Sequence, residues 1–591
     1  MALNDIITRK YSYFSGVDFS NGEKKSYRSP DMLNMYKNYK ESSNNAIETR
    51  PGMMKIGNLG YQIYGIFFYS ISSVTSQTQI LVHAGTKLYK FIPNGESTIL
   101  YEGLNPNYSN GFVFDNIFFF KDGINYLEYN GTTCKPVEGT IPMTTYERTP
   151  HAVTHYDDNI DSDLIYQPIN LLQPKRKNQF VSDGESNDYY LDDTNLDSPS
   201  VYVMRASING GADLVEEIDF TVDRDKGIVT FNTIPEKDAK VVITYSKTIQ
   251  GHADRVLKSN ILCEFDNRIF VSGNIDYPNA VFHSEYNEPR YFSNLAYYEC
   301  GVDLSEVKAL IPASNSLYVL KEKDNNQSSL IILTPAISTG INGGQTKTYP
   351  PTNASVSLGC VSTGLNFRDD IVYFSRNGLE AITGNMYNEQ ILTHRSSNID
   401  AKLLSETNYK KVMTCEWKNY LMCLIDSKVY LADSNAIYTN DYGKNEYEWF
   451  YWELPNNISY IREYEDNLYY GNSSGDIYVA YDGLENDGET PVTSYIVTYK
   501  DNCGYDGYTK TTNKKGAEID LKTMSNDVIK VEVITNTKNV EIGTYSDETG
   551  HIVLKKKMKK FKNIQFKISS EKPFGIFSMV FEAFIAGYLK K

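Results

Sequence analysis

The sequence predicts an all-β fold: a β-propeller of about seven blades, with an inserted small β-sandwich and a C-terminal β-sandwich. Three observations predict it. The first is a recurring cassette of two small polar residues followed by an apolar and aromatic run. It reads DNIFFFKDG from Asp115, DNRIFVSGN from Asp266, DDIVYFSRNG from Asp369 and DNLYYGNSSGDIYV from Asp466, with weaker copies from Ser314 and Lys418. The second residues of the later copies stand at 267, 315, 370, 419 and 467, so the spacings are 48, 55, 49 and 48. A period of about 50 residues made of strands and turns suits a four-stranded propeller blade. The second observation is that runs such as Ile117-Phe118-Phe119-Phe120 are apolar at every position. Such strands are buried on both faces, as inner blade strands are. The third is a break of 151 residues between Asn116 and Asn267. Strands of cleaner alternation fill it, which reads as an insertion at a loop whose ends lie close together.

In chain order, residues 1–60 read as a polar N-terminal arm. SPDMLNMYKNY from Ser29 reads as a short helix capped by Asp31 or Ser29, with Pro30 in its first turn. Arg50-Pro51-Gly52 reads as a turn, Pro presetting its dihedral and Gly supplying φ > 0. Residues 61–142 read as the first blades, with a hairpin at Ala84-Gly85-Thr86. Residues 143–250 read as a linker, MTTYERTPHAVTHYDDNIDSD, followed by a small sandwich with a hairpin at Asp225-Lys226-Gly227. Residues 251–489 carry the remaining blades, and IDAKLLSE from Ile399 is the best further helix candidate. Residues 490–591 read as the C-terminal sandwich, from strands such as VIKVEVIT, KNIQFKIS and FSMVFEAFIAGYLKK. An eighth blade follows if the arm itself closes the ring.

Bulk properties narrow the function. A chain of 591 residues implies several domains. A net charge of −16 argues against a dedicated nucleic-acid binder and suits a lumen past which DNA slides without sticking. The 48 tyrosines fit strands, and also fit subunit interfaces. Seven scattered cysteines with no CxxC pair point to reduced thiols rather than a disulfide framework or zinc site. Cys415 and Cys423 read as thiols facing each other across neighbouring strands or as buried thiols. No secretory signal is read at MALNDIITRKYSYF, and no apolar stretch is long enough to span a membrane.

No catalytic or cofactor motif emerges: GxSxG, GxxxxGK[ST] and the sialidase Asp-box are absent. His151 and His155 have a metal spacing only if helical, and Pro150 makes a loop the expectation. The acidic clusters Asp157, Asp158, Asp161, Asp163 and Asp188, Asp192, Asp193 read as solvated loops, and the Asp of each cassette as a turn-former. Two basic groups are candidate subunit or partner contacts: Lys175, Arg176 and Lys177, and the run Lys555, Lys556, Lys557, Lys559 and Lys560. The latter reads either as an edge strand kept soluble by lysine or as an ionic contact with an acidic neighbouring subunit.

The order RPG, IYGIFFY, LVHAGTKLYKF, NLLQPKRKN, SGNIDYPNAVFHSEYNEPRYF and YFSRNGLEAITGN resembles the β-propeller virion proteins of tailed bacteriophages. These include tail-tube nozzle proteins of short-tailed phages and packaged-DNA stabilisation proteins. The resemblance covers nearly the whole chain, and for Arg50, Pro51 and Gly52 it implies a structural role, anchoring the arm to the first blade. It implies a non-enzymatic subunit without cofactors, made in the host cytoplasm and located in the virion tail. It also implies a ring, often sixfold, around the DNA exit channel, contacting portal, adaptor and other tail or fibre proteins while double-stranded DNA passes through. The competing expectation is a propeller that binds or cleaves glycans, with convergent carboxylates and aromatic platforms drawn from Trp417, Trp449 and Trp452. Trp449 and Trp452 read first as packing between blades.

Overall fold

The computed structural model describes residues 6–20, 27–39, 46–70, 78–151, 166–324, 329–339, 345–354, 356–368, 370–384, 390–439, 445–523, 528–536, 539–545 and 551–588. The fold is all-β. Among these residues α-helix is confined to His252–Leu257 and Asp400–Leu403, the second at the expected IDAKLLSE. The chain divides into two compact units.

One unit comprises residues 1–70, 77–102 and 358–591. It contains four four-stranded antiparallel meanders. The first runs Ile63–Tyr69, Gln79–Ala84, Lys87–Phe91, Thr98–Glu102, and turns at Gly85 (φ +59) as expected. The second runs from Gly364–Phe367 to Gln390–His394, and the third from Met413–Trp417 to Asn445–Glu453. The fourth has three strands from Ile458–Tyr464 to Asp476–Ala480, and its last strand, Met54–Asn58, comes from the N-terminal arm. The arm therefore completes a sheet already present rather than adding another.

The same unit holds two further sheets in which both chain ends take part. In one, Met35–Tyr36, Ile47–Thr49 and Ile6–Tyr11 join the C-terminal strands Gly575–Tyr588, Tyr508–Thr523 and His551–Leu554. In the other, Asp31–Leu33 pairs with Ser494–Val497, beside Ile564–Ser570, Ile529–Thr535 and Asn539–Tyr545. Ile519, Val531, Ile552, Phe566, Ile568 and Phe581 belong to the shared core. This corrects two expectations. The segment from Ser29 is not a helix but two short strands separated by Asn34 at φ +58, because the strand pairing available from residues 494–497 and 47–49 outweighs local helix propensity. The N-terminal arm is likewise not a separate element but co-folds with the C-terminal strands.

The other unit comprises residues 71–76 and 103–357. It holds three meanders: Asn110–Phe114 to Cys134–Pro136, Ile261–Phe265 to Tyr297–Glu299, and Val307–Ala313 to Pro351–Asn353. Between its first and second meanders lies the expected insertion. A five-stranded sheet (Met143–Arg148, Lys175–Val181, Lys240–Ser246, Arg205–Ile208, Leu214–Val215) and a three-stranded sheet (Asp188–Tyr190, Ile228–Phe231, Phe220–Asp223) share a core of Phe180, Tyr189, Phe231 and Ile243. The Asp225–Gly227 hairpin forms, with Gly227 at φ +68 and 1.9 Å between its would-be Cβ and Asp193 O. The stretch read as a linker is a strand at its start, since Met143–Arg148 pairs in parallel with Lys175–Val181. Its later part, with His155 and Asp157 to Asp163, lies outside the described residues.

The cassette explains itself in this geometry. Its polar pair is the turn between the first and second strands of a meander. Asp115 and Asn116 have φ of 47° and 59°, Asp266 and Asn267 of 52° and 56°, and Ser314 and Lys418 of 52° and 54°. Hairpins this tight need the left-handed region, which Asn and Asp tolerate best. In two copies the turn slips by one residue: in the Asp369 copy Arg368 is at 57° and Asp370 already pairs with Phe367, and in the last copy Glu465 and Asp466 are at 50° and 65°. The strand that follows is buried on both faces: Arg268–Ser272 and Tyr420–Ile425 are buried at every position. The cassette carboxylate is not always spent on its own turn. Asp266 accepts from Lys347 Nζ at 2.5 Å and Tyr349 Oη at 2.5 Å, tying its turn to residues some 80 positions away.

Candidate functional site

Arg50 opens the first motif of the resemblance, and it is 3% exposed. Its guanidinium donates to Asp487 through Nη1 (3.0 Å) and Nη2 (2.6 Å), to Asn34 Oδ1 through Nε (3.1 Å), and to the carbonyls of Pro51 (2.9 Å) and Glu453 (3.3 Å). Asp487 also accepts from Met53 N at 3.1 Å. A planar fork meeting a carboxylate is the strongest geometry for such a pair. Arg50 thus fastens the arm to the residues just after the last meander, not to the first blade as expected. Gly52 is not at positive φ either. Its role is close approach: a Cβ there would lie 2.2 Å from Asn486 O, and its N–H donates to Leu484 O at 2.7 Å.

Two carboxylates, Asp433 and Glu448, face each other across paired strands. They are 0% and 2% exposed. Glu448 receives Lys37 Nζ at 2.5 Å and Tyr13 Oη at 2.7 Å; Asp433 receives Tyr39 Oη at 2.5 Å and Asn435 N at 2.9 Å. Burial pushes Asp433 up to about 6, against the bond from Tyr39 and the charge of Lys37. Paired carboxylates are what glycoside chemistry needs, but these are covered by arm residues and bonded into the fold. The aromatic platforms expected of a glycan site are inside as well. Trp417, Trp449 and Trp452 are at most 2% exposed, and their indole N–H groups donate to the carbonyls of Asp466, Arg395 and Met35.

His394 forms a third polar cluster, which no local motif of the sequence marks. Nδ1 lies 2.9 Å from Glu380 Oε1 and Nε2 2.6 Å from Asp400 Oδ2. Burial lowers its pKa, but the bonds to Asp400 and Glu380 outweigh this and bring it up to about 10. Ser396 Oγ donates to Asp400 Oδ1 at 2.6 Å. A charged imidazole with both nitrogens donating has no lone pair to act as a base, and this serine is not held by a base, so the cluster is a clamp rather than a hydrolytic triad.

The remaining candidates fall into place around these. His151 lies 2.9 Å from Ser186 Oγ and its ring 5.3 Å from that of Tyr190, while His155 is outside the described residues. Among the described residues no group of three His, Cys, Asp or Glu could hold a metal ion. All seven cysteines are free thiols. Cys415 is opposite Met422 and Cys423 opposite Thr414, so the two do not face each other. Burial pushes Cys415 up to about 12. A cavity of about 490 Å³ in the inserted domain is lined by Ile208, Leu214, Ile218, Phe231 and Ile234, while its Asn209 and Asp219 are committed to Lys240 N and Val215 N. No helix among the described residues is long and apolar enough to cross a membrane.

The two basic groups part company. Lys175, Arg176 and Lys177 sit in the second strand of a five-stranded sheet. Arg176 is 1% exposed and paired with Asp193, and Lys175 lies over the Tyr202 ring at 4.9 Å. Strand alternation turns the middle residue inward, which removes Arg176 from the candidate contact surface. The run Lys555–Lys560 is not an edge strand. It leaves the sheet after Leu554 as an irregular loop in which Lys555, Lys556, Lys557, Lys559 and Lys560 are all exposed.

No family model matches this chain, and no curated protein matches it. Solved structures do. BamB from Moraxella catarrhalis aligns over 74% of this chain and 98% of its own, at 9% identity and a TM-score of 0.32. The computationally designed Ika8 protein aligns over 73% and 99%, at 9% identity and 0.29. A glycoside hydrolase aligns over 89% and 99%, at 9% identity and 0.21. Scores this low carry no functional inference, and the all-β assignment rests on the strand pairing of this chain.

Proposed function

We propose that the chain is a structural virion protein of a tailed phage: a seven-bladed propeller with an inserted and a terminal β-sandwich, assembling as a ring in the tail. The ring retains genomic DNA and then conducts it, without enzymatic activity or a cofactor. Seven four-stranded meanders among the described residues, four in one unit and three in the other, support that number of blades. One observation carries the reading. The RPG motif of the resemblance, whose role was expected to be structural, is a buried clasp: Arg50 locks onto Asp487 while Met54–Asn58 completes the last meander. Closing a blade with strands from both chain ends is how a propeller avoids a frayed edge. The buried positions of Asp433, Glu448 and the three tryptophans fit a scaffold better than a glycan site.

Mass photometry tests the reading, on the protein alone and mixed with a portal–adaptor complex. Closed oligomers in either condition support it. Monomers in both would overturn it, as would hydrolysis of a surface glycan that is lost on Asp433→Asn or Glu448→Gln while the fold is kept.

A further inference from the structure

The loop 555–562 gathers positive charge in an acidic protein, with no carboxylate paired to it among the described residues. Lys555, Lys556, Lys557, Lys559, Lys560 and Lys562 are exposed, while Met558 and Phe561 between them are 4% and 1% exposed. These two anchors hold the loop in shape, helped by Met558 N donating to Thr512 Oγ1 at 2.8 Å and Phe561 N to Lys510 O at 3.1 Å. Lys556 Nζ donates to Glu541 O, a carbonyl. None of the six makes an ion pair among the described residues, whereas Lys37, Lys321, Lys347, Lys418 and Lys428 each find a carboxylate within 2.7 Å. Six like charges in eight residues repel each other, and the buried anchors Met558 and Phe561 keep them together.

A surface of net opposite sign lies on the inserted domain. The loops 182–187 and 235–239 touch, through Asp238 N to Ser182 O at 2.9 Å and Ser182 Oγ to Pro235 O at 2.9 Å. They expose Asp183, Glu185, Glu236 and Asp238, and none of the four is ion-paired among the described residues. Lys237 is the cation among them.

We propose that the lysine loop of one copy docks on the Asp183, Glu185, Glu236 and Asp238 surface of a second copy. Charge decides between a second copy and a nucleic acid. Without the six lysines the net charge of −16 becomes −22, so the rest of the molecule repels a polyanion and is itself the complement of the loop. Two different patches meeting make a head-to-tail contact, which closes into a ring when the rotation permits. The inference rests on the ring reading above and names its electrostatic contact.

The test uses the full chain under whichever condition the wild type assembles. One variant reverses the loop (K555E/K556E/K557E/K559E/K560E/K562E) and the other the acidic surface (D183K/E185K/E236K/D238K). Every substituted side chain is exposed, and circular dichroism with thermal melting checks that each variant folds. Mass photometry is expected to show each variant alone weakened in self-association by about tenfold or more, and the mixture of the two restored to the wild-type oligomer. Wild-type assembly is expected to weaken with added salt. Reversed variants that assemble like the wild type, or a mixture that does not recover, would overturn the contact while leaving the ring reading standing. A wild type that stays monomeric sinks the ring reading and this contact with it. Retained assembly with lost binding to a short DNA duplex on loop reversal would assign the loop to nucleic acid and overturn the proposal.

Discussion

Replacing Arg50 with alanine removes the clasp and leaves its partner behind. Arg50 and Asp487 side chains are 2% and 8% exposed, so solvent screening scarcely discounts their attraction. The substitution deletes five hydrogen bonds and leaves Asp487 with Met53 N as its remaining bond in the clasp. Breaking a buried pair by removing one partner costs about 3–5 kcal/mol, mostly the penalty of the uncompensated charge. At the lower figure the closing strand Met54–Asn58 would open about 150-fold more often, at roughly tenfold per 1.4 kcal/mol. Native-state hydrogen exchange reads this directly as lost protection of the amides at 54–58 and of their partners at 476–479. Arg50→Ala with Asp487→Leu should recover part of the loss, because no buried charge is then stranded. Exchange at 54–58 unchanged within about twofold in Arg50→Ala would refute the clasp.

Three further outcomes are expected. Gly52→Ala should destabilise the same strand by steric contact with Asn486 O, seen as a lower melting temperature with Arg50 intact; an unchanged melt would mean the approach is looser than 2.2 Å. His394 has its pKa raised to about 10, above its ordinary 6.5. Its contribution is thus present in full below about pH 6.5 and lost as pH rises towards 10. Imidazole NMR should show it still protonated at about pH 8, and His394→Gln should flatten melting temperature over that window. Asp433 is an acid whose folded pKa is raised to about 6, so it costs stability above that value and the cost fades as pH falls towards 4. Asp433→Asn should therefore cancel a rise in stability between about pH 7 and 4, and a variant with the wild-type pH profile would count against the shift.

Local features of the sequence were read well where the physics is local. The polar pairs of the cassette foretold turns, because a two-residue hairpin demands φ > 0 from residues at known positions. The all-apolar runs foretold strands buried on both faces, and the alternating block foretold the insertion. Errors came where the deciding partner is far along the chain. Ser29 to Tyr36 has a cap, a Pro and helix-tolerant residues, yet its Asp31–Leu33 part pairs with a strand some 460 positions away. KRK at 175–177 looks like a basic patch until the sheet turns its middle residue onto Asp193. The lysine run is conspicuous in the sequence, but that Met558 and Phe561 anchor it depends on the sheets they pack against.

The sequence by itself determined the turns, the strand type, the interruption and the excess of negative charge, since each is a property of neighbouring residues or of a sum. The tertiary structure decided what closes what: that Arg50 meets Asp487, that residues 54–58 complete the last meander, and that the two chain ends share sheets. Strand pairing and buried ion pairs gain their free energy only after distant segments have been brought together, so no window of local sequence contains them.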